Sequence, residues 1–288
     1  MINFLKFKFI YFTISGLVLA IGAYSLFTTG LNYSIDFTGG SNIQYRFKGN
    51  VSADVVAQQF RDEKIKVLSI IQTQPNTFTL KTSPVDEKKE VVIRTKLEDK
   101  EEITSVEQLR FETVGPSLGQ ETIRKTAIAS AVAILGILLY ITITFRKLSY
   151  GFSAIVALLH DFFVLFGMYS LLIRFFGAEV DALFITAVLT TMSFSVHDTI
   201  VVFDKIREYR RTSGLSTEVI ANKALTETMV RSVNNSLTIV LMLVPLVFLG
   251  IDTIRFFAAA LLIGTISGTY SSPFVATPIL VWLEKRRK

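Results

Sequence analysis

The 288-residue chain contains no cysteine, one tryptophan and only two histidines. Without cysteine there is no disulfide framework, no thiolate metal site and no sulfur nucleophile. Charge is also scarce, at 19% of residues against 50% hydrophobic, and the mean hydropathy is +0.48. That is too little charge to clothe one soluble domain. Half-apolar content is also too low for a wholly embedded chain, so a sizeable part must sit in water. A membrane protein with two regimes is expected.

A helix crossing roughly 30 Å of hydrocarbon needs about 20 mostly apolar residues. Six stretches between charges are long enough: Lys8 to Asp36, Lys125 to Arg146, Lys147 to Arg174, Asp181 to Asp204, Arg231 to Asp252 and Arg255 to Glu284. They place transmembrane helices over 9–28, 126–145, 148–173, 181–203, 231–251 and 255–283. The first follows Lys6 and Lys8 as a signal peptide would, but its apolar run is too long for that, and it is read as a retained span.

Lys and Arg favour the cytoplasmic side of short connections. Lys6 and Lys8, then Arg146 and Lys147, then Lys205, Arg207, Arg210, Arg211 and Lys223 of a basic connector (204–230), and finally Lys285, Arg286, Arg287 and Lys288 of a basic tail (284–288) all fall on one side. Both termini, including 1–8, are therefore expected inside and 29–124 outside. Residues 30–124 hold 13 basic and 14 acidic side chains, a net of −1, leaving 17 basic and 10 acidic, +7, for the remainder. The basic balance thus follows the bilayer rims. It offers no basic face on the soluble part for nucleic acid.

The outer segment is expected to be a compact α+β domain, ferredoxin-like or split βαβ. Ser41–Lys48 alternates as a strand and Ala53–Arg61 spaces its apolar residues as a helix. Lys66–Gln72 and Thr77–Thr82 flank Pro75–Asn76 as a hairpin. Glu90–Thr95 resembles a strand, Leu97–Val106 a short charged helix or loop, and Gln108–Val114 a last strand. The acids Glu98, Asp99, Glu101 and Glu102 read as a solvated face. The segment has no His, no Cys and no phosphate-cradling glycine loop, so no active site is evident in it.

Two glycine-bearing junctions punctuate the chain. Ile35-Asp36-Phe37-Thr38-Gly39-Gly40 leads into the first strand, where paired glycines permit positive φ and close backbone approach. Asp36 is placed to bond local backbone N–H groups in such a turn. Val114-Gly115-Pro116-Ser117-Leu118-Gly119 marks a break before the second span.

The chemistry lies in the third and fourth spans. Both histidines precede an aspartate, as His160-Asp161 and His197-Asp198, inside apolar runs. A carboxylate at mid-depth costs roughly 2.5–3.5 kcal/mol on insertion scales, and such groups usually face the bundle interior and mark an ion or proton path. Either aspartate could instead be structural, bonded to Ser and Thr. Thr190, Thr191, Ser193, Ser195 and Thr199 surround Asp198 with hydroxyls able to hold water. Neighbours at i, i+1 point to different sides of a helix, so neither His need bond its Asp. The spacing does not suit zinc. Arg231, at the inner mouth of the fifth span, either snorkels to the interface or serves as counter-charge to Asp198. Gly264 and Gly268 have small-xxx-small spacing for close helix packing, and Pro245, Pro273 and Pro278 suggest kinks.

These two junctions, with Leu158-Leu159-His160-Asp161 and the run from Asp198 through Asp204-Lys205-Ile206-Arg207-Glu208, resemble in order and spacing the SecF family, membrane subunits of the bacterial SecDF protein-export complex. The resemblance spans nearly the whole chain. It implies an RND-type six-helix fold, a SecD partner with a matching half, and use of the proton motive force to assist exported preproteins through the SecYEG channel in the inner membrane. It further implies no enzymatic step and no cofactor, the proton being the coupling ion, and places Asp198 on the family's transmembrane aspartate. Thr226-Glu227-Thr228-Met229-Val230-Arg231-Ser232 is similar to the family's Asn-Gln-Thr-Leu-x-Arg-Thr, placing Arg231 on its arginine. Two departures are His197, where Asn is usual, and Glu227, a carboxylate one turn before Arg231 and able to pair with it. The alternatives are a proton-coupled small-molecule exporter of the RND superfamily and a passive translocon scaffold.

Overall fold

Inside hydrocarbon every backbone N–H and C=O must be satisfied within its own segment, so long uncharged runs become long helices. The computed structural model describes residues 2–49, 51–100, 103–145 and 147–286. Glu101 and Glu102 of the acidic run, and Arg146, Arg287 and Lys288 of the basic rims, lie outside the described residues. Among these residues six helical stretches are long and apolar enough to cross a membrane. The chain divides into two units, Met1–Asn32 with Ile128–Lys288, and Tyr33–Ala127.

The first unit is helical. It holds α1 (Lys8–Thr29), most of α5 (Pro116–Phe145), α6 (Leu148–Phe176), α7 (Ala182–Thr212), α8 (Thr217–Leu249), α9 (Asp252–Ser271) and α10 (Thr277–Arg286), with one π turn, Ser272–Ala276, between the last two. Charge marked where the apolar runs stop, but the helices continue past it. The connector expected at 204–230 is helical on both sides of a short break at Ser213–Ser216, and α5 starts at Pro116, well before Thr126.

Small residues set the closest helix pairs, because removing side chains lets backbones approach. A β-carbon on Gly167 would lie 2.5 Å from the Gly22 Cα, so α1 and α6 touch backbone to backbone. Ser25 and Ser170 share a hydroxyl hydrogen bond of 3.0 Å one turn further along. Between α9 and α7, a β-carbon on Gly264 would fall 2.4 Å from Thr191 Cγ2, and one on Gly268 3.0 Å from Ser195 Cβ. By contrast α1, α5 and α8 leave many large apolar side chains exposed, among them Phe27, Leu139, Ile143 and Leu241, as lipid contact allows.

The second unit folds as β1 (Gly40–Gly49), α3 (Ala53–Asp62), β2 (Val67–Gln74), β3 (Thr77–Thr82), α4 (Glu87–Glu98) and β4 (Ile103–Val114), preceded by a single turn, α2 (Ile35–Thr38). The sheet order is β2-β3-β1-β4 with every pairing antiparallel, the expected ferredoxin-like arrangement. Ile43, Tyr45 and Phe47 alternate inward from β1 onto Phe60, Phe78, Leu80, Ile93 and Leu97. Burying each such side chain contributes roughly 1.5–3 kcal/mol.

Glu90–Thr95 is helix, not strand. Asp86 caps α4 by accepting from the Lys89 N–H at 2.7 Å, and Glu90, Ile93 and Leu97 recur on one buried face. Val91 and Val92, which made the segment look like a strand, are exposed. The stretch from Leu97 to Val106 accordingly divides between the end of α4 and the start of β4.

Candidate functional site

The buried face of α7 carries Thr191, Ser195, Asp198, Thr199 and Val202, while Ser193 and His197 point out. Opposite it α9 offers Gly264 and Gly268 for contact and Ser267 and Ser271 for bonding, and α8 offers Ser232 and Ser236. Glycine at two positions of α9 therefore brings hydroxyls of both helices within reach of buried acids.

Asp161, on α6, is the hub. Ser195 and Ser271 each donate to its Oδ2 at 2.5 Å, and Ser267 donates to Oδ1 at 2.6 Å. His160 Nδ1 lies 3.0 Å from the same Oδ1. Neighbouring side chains were not required to bond, but here the bond forms, and both groups are buried. The His160 ring stacks on Tyr270 at 6.2 Å and 26°, and its Nε2 finds no hydrogen-bond partner among the described residues. Hydrogen bonds to a charged group contribute about 1.5–3 kcal/mol each, so this acid ties α6, α7 and α9 together.

Asp198 is bonded differently. Ser232 of α8 donates to its Oδ1 at 2.5 Å, and Oδ2 is buried without a hydrogen-bond partner among the described residues. Of the hydroxyls the sequence placed around it, Ser195 serves Asp161, Thr190 and Thr191 bond their own helix, and Thr199 pairs with Ser272 at 2.8 Å. Ser236 and Thr269 form a second hydroxyl pair at 2.5 Å, and Ser236 donates to the Ser232 carbonyl. The π turn at Ser272–Ala276 sits beside this cluster; such turns are frequent at functional sites.

Arg231 makes no direct ion pair with Asp198. It is exposed and lines an open cavity of about 750 Å³ together with Val201, Asp204, Lys205, Glu208, Glu227 and Thr228. Nor does Glu227 pair with Arg231, because Tyr209 donates to it and Lys205 lies 3.6 Å away. On the same rim Arg210 pairs with Glu284, which also accepts from Ser149. Among the described residues no group of three or more His, Asp or Glu side chains is placed to share a metal ion.

In the other unit the two junctions meet. Ser34 caps the α2 turn by accepting from the Asp36 N–H at 3.2 Å, and Phe37 is buried. Gly39 and Gly40 have φ of +69° and +127°, and a β-carbon on Gly40 would lie 2.6 Å from the Thr82 carbonyl oxygen. Gly119, on the first turn of α5, packs against Gly39 and Phe37 so closely that its β-carbon would fall 2.9 Å from backbone atoms of both. Pro116 opens α5 with its Cα only 3.0 Å from a β-carbon placed on Gly39, while a β-carbon on the preceding Gly115 would meet only Ser117 Oγ, at 4.0 Å.

The sequence model of the family described as "Protein export membrane protein SecD/SecF, C-terminal" matches residues 93–286, and that of the "SecD/SecF GG Motif" matches residues 24–51. The chain belongs to the SecF family. It is 42% identical to the protein translocase subunit SecF of Thermobaculum terrenum, across 99% of this chain and 95% of that one, and 37% identical to the SecF of Anaerolinea thermophila across 98% and 94%. The crystal structure of SecDF, a translocon-associated membrane protein from Thermus thermophilus, superimposes with a TM-score of 0.83 at 32% identity, covering 99% of this chain. The SecF-family chain spans 39% of that SecDF chain. The glycine cradle just described is thus the family's GG motif, held shut by the start of α5.

Proposed function

We propose that this SecF-family chain pairs with a SecD-type subunit and uses the proton motive force to assist export of preproteins through the SecYEG channel. In this reading it lies in the bacterial inner membrane with both termini in the cytoplasm and the ferredoxin-like unit outside, and acts on its client without covalent chemistry. The observation that carries it is the state of Asp198: a buried carboxyl with one oxygen anchored by Ser232 and the other bare. A bare oxygen at a junction of three helices can accept a proton and give it up without breaking an existing bond. Arg231 lines the cavity near the inner end of α7 and, in this reading, is the positive charge on the proton's route to Asp198. That a relative is one fused SecDF chain supports a SecD partner.

The test is late, ATP-independent export in inverted vesicles carrying SecYEG and the SecD–SecF pair. Asp198→Asn is expected to abolish the stimulation by a proton gradient, and undiminished stimulation overturns the reading. Arg231→Lys is expected to keep part of that stimulation and Arg231→Met to lose it.

A further inference from the structure

Asp161 and His160 form a pair whose two members have opposite hydrogen-bond economies. Each oxygen of Asp161 already accepts two donors, Ser267 and His160 on Oδ1, Ser195 and Ser271 on Oδ2. Protonating it would turn one oxygen into a donor and force one of these partners to give up its donated bond and accept instead. His160 has spare capacity instead. A carboxylate can only accept, so Nδ1 carries the hydrogen toward Asp161 and the neutral ring keeps its lone pair on Nε2. That nitrogen is buried, 9% of the residue being exposed, and has no partner among the described residues.

We propose that His160, not Asp161, is the proton-exchanging member of this pair, a second proton station beside Asp198, with Asp161 as its fixed counter-ion. This rests on the proton-coupled reading above and deepens it. Uptake forms an N–H bond at Nε2 and leaves an imidazolium against a carboxylate; release returns the proton and the neutral ring. The groups facing His160 fit this role. On its own helix there is Asp161. From α9 comes Tyr270, whose hydroxyl donates to the Tyr11 carbonyl of α1 at 2.7 Å and accepts from Ser15 of α1 at 3.4 Å. From α7 comes Ser195, bonded to the shared carboxylate, with Asp198 one turn further along the same helix. The ring is thus stacked on a tyrosine whose hydroxyl links α9 to α1 through Ser15 and the Tyr11 carbonyl.

The chain has two histidines, so nitrogen-15 magnetic resonance of the histidine-labelled chain, reconstituted with its unlabelled partner subunit in vesicles, isolates His160 once exposed His197 is replaced (His197→Gln). The expected spectrum shows the neutral ring with its hydrogen on Nδ1, and Nε2 gaining a proton as the vesicles are taken from about pH 8 to about pH 5. A ring carrying its hydrogen on Nε2, or one that stays neutral across that range, overturns the proposal. A second arm measures gradient-stimulated export of His160→Asn and His160→Gln, which keep a donor for Asp161 but cannot carry a proton. Loss of stimulation with intact assembly is expected, and full stimulation in either variant overturns the proposal. If the unaltered complex itself shows no gradient stimulation, the proton-coupled reading fails; if it does and the His160 variants match it, only this inference fails.

Discussion

Gly268 of α9 lies against Ser195 of α7 so closely that a β-carbon on it would sit 3.0 Å from the Ser195 Cβ. One turn earlier Gly264 stands in the same relation to Thr191, more tightly still. These contacts hold Ser195 where its hydroxyl reaches Asp161, so helix approach and buried-acid solvation are one arrangement.

Gly264→Ala is therefore expected to destabilise the helical unit by about 1–3 kcal/mol, as overpacking does. Gly268→Ala, meeting its neighbour at the edge of contact, is expected to be milder. Thermal unfolding in detergent, followed by circular dichroism, ranks the two.

Removing Ser232 takes away the close donor to Asp198 and leaves Ser272 as the remaining hydroxyl beside its carboxyl. Ser232→Ala is expected to destabilise the protein by about 1–3 kcal/mol, the penalty of a buried polar group left unsatisfied. The loss should shrink in an Asp198→Leu background, where nothing remains to satisfy. A double-mutant cycle on unfolding free energies reads the coupling between the two.

Gly40 has φ +127° and no room for a β-carbon beside the Thr82 carbonyl. Backbone strain of this kind costs roughly 1–3 kcal/mol, and the steric clash adds to it. Gly40→Ala is expected to loosen the start of β1, and faster hydrogen exchange in β1 and β3 of the full-length protein is the measurement.

Tyr45 is fully buried and donates to Glu90 Oε1 at 2.8 Å, with Arg94 3.4 Å from the same oxygen. Burial first, and then the Glu90 carboxylate, push the Tyr45 phenol well above its ordinary value. It remains a donor over the whole physiological range. Tyr45→Phe is expected to destabilise the outer unit by about 1.5–3 kcal/mol, a hydrogen bond to a charged group, with a stability loss independent of pH from neutral to mildly alkaline conditions. Chemical denaturation at two pH values checks both statements.

Spans, strands and the hairpin were legible because apolar run length and period-two alternation survive in one dimension. Glu90–Thr95 was not, because a Val-Val-Ile run carries strand composition while its cap, Asp86, and its face, Glu90, Ile93 and Leu97, act at helical spacing. The helix extensions beyond Asp204 and before Arg231 were hidden because charge marks where hydrocarbon stops, not where hydrogen bonding stops. Asp161 and Asp198 stood out as carboxylates in apolar runs. Their partners did not, since Ser267, Ser271 and Ser232 lie 106, 110 and 34 residues away from the acids they serve. The one available signal was Ser267 and Ser271, interleaved with Gly264 and Gly268, which put hydroxyls and close-packing residues at matching spacing on one helix.

The hydroxyl pairs Thr199–Ser272 and Ser236–Thr269 have a property that carboxylate contacts lack: in each, either oxygen can be the donor. Rotating two hydrogens inverts such a pair without moving a heavy atom. For a proton passed along such pairs these links are therefore not rectifiers. Any one-way character must come from the gradient, or from helix movements that open one end at a time. A scaffold wired in this way should run in reverse when the gradient is reversed.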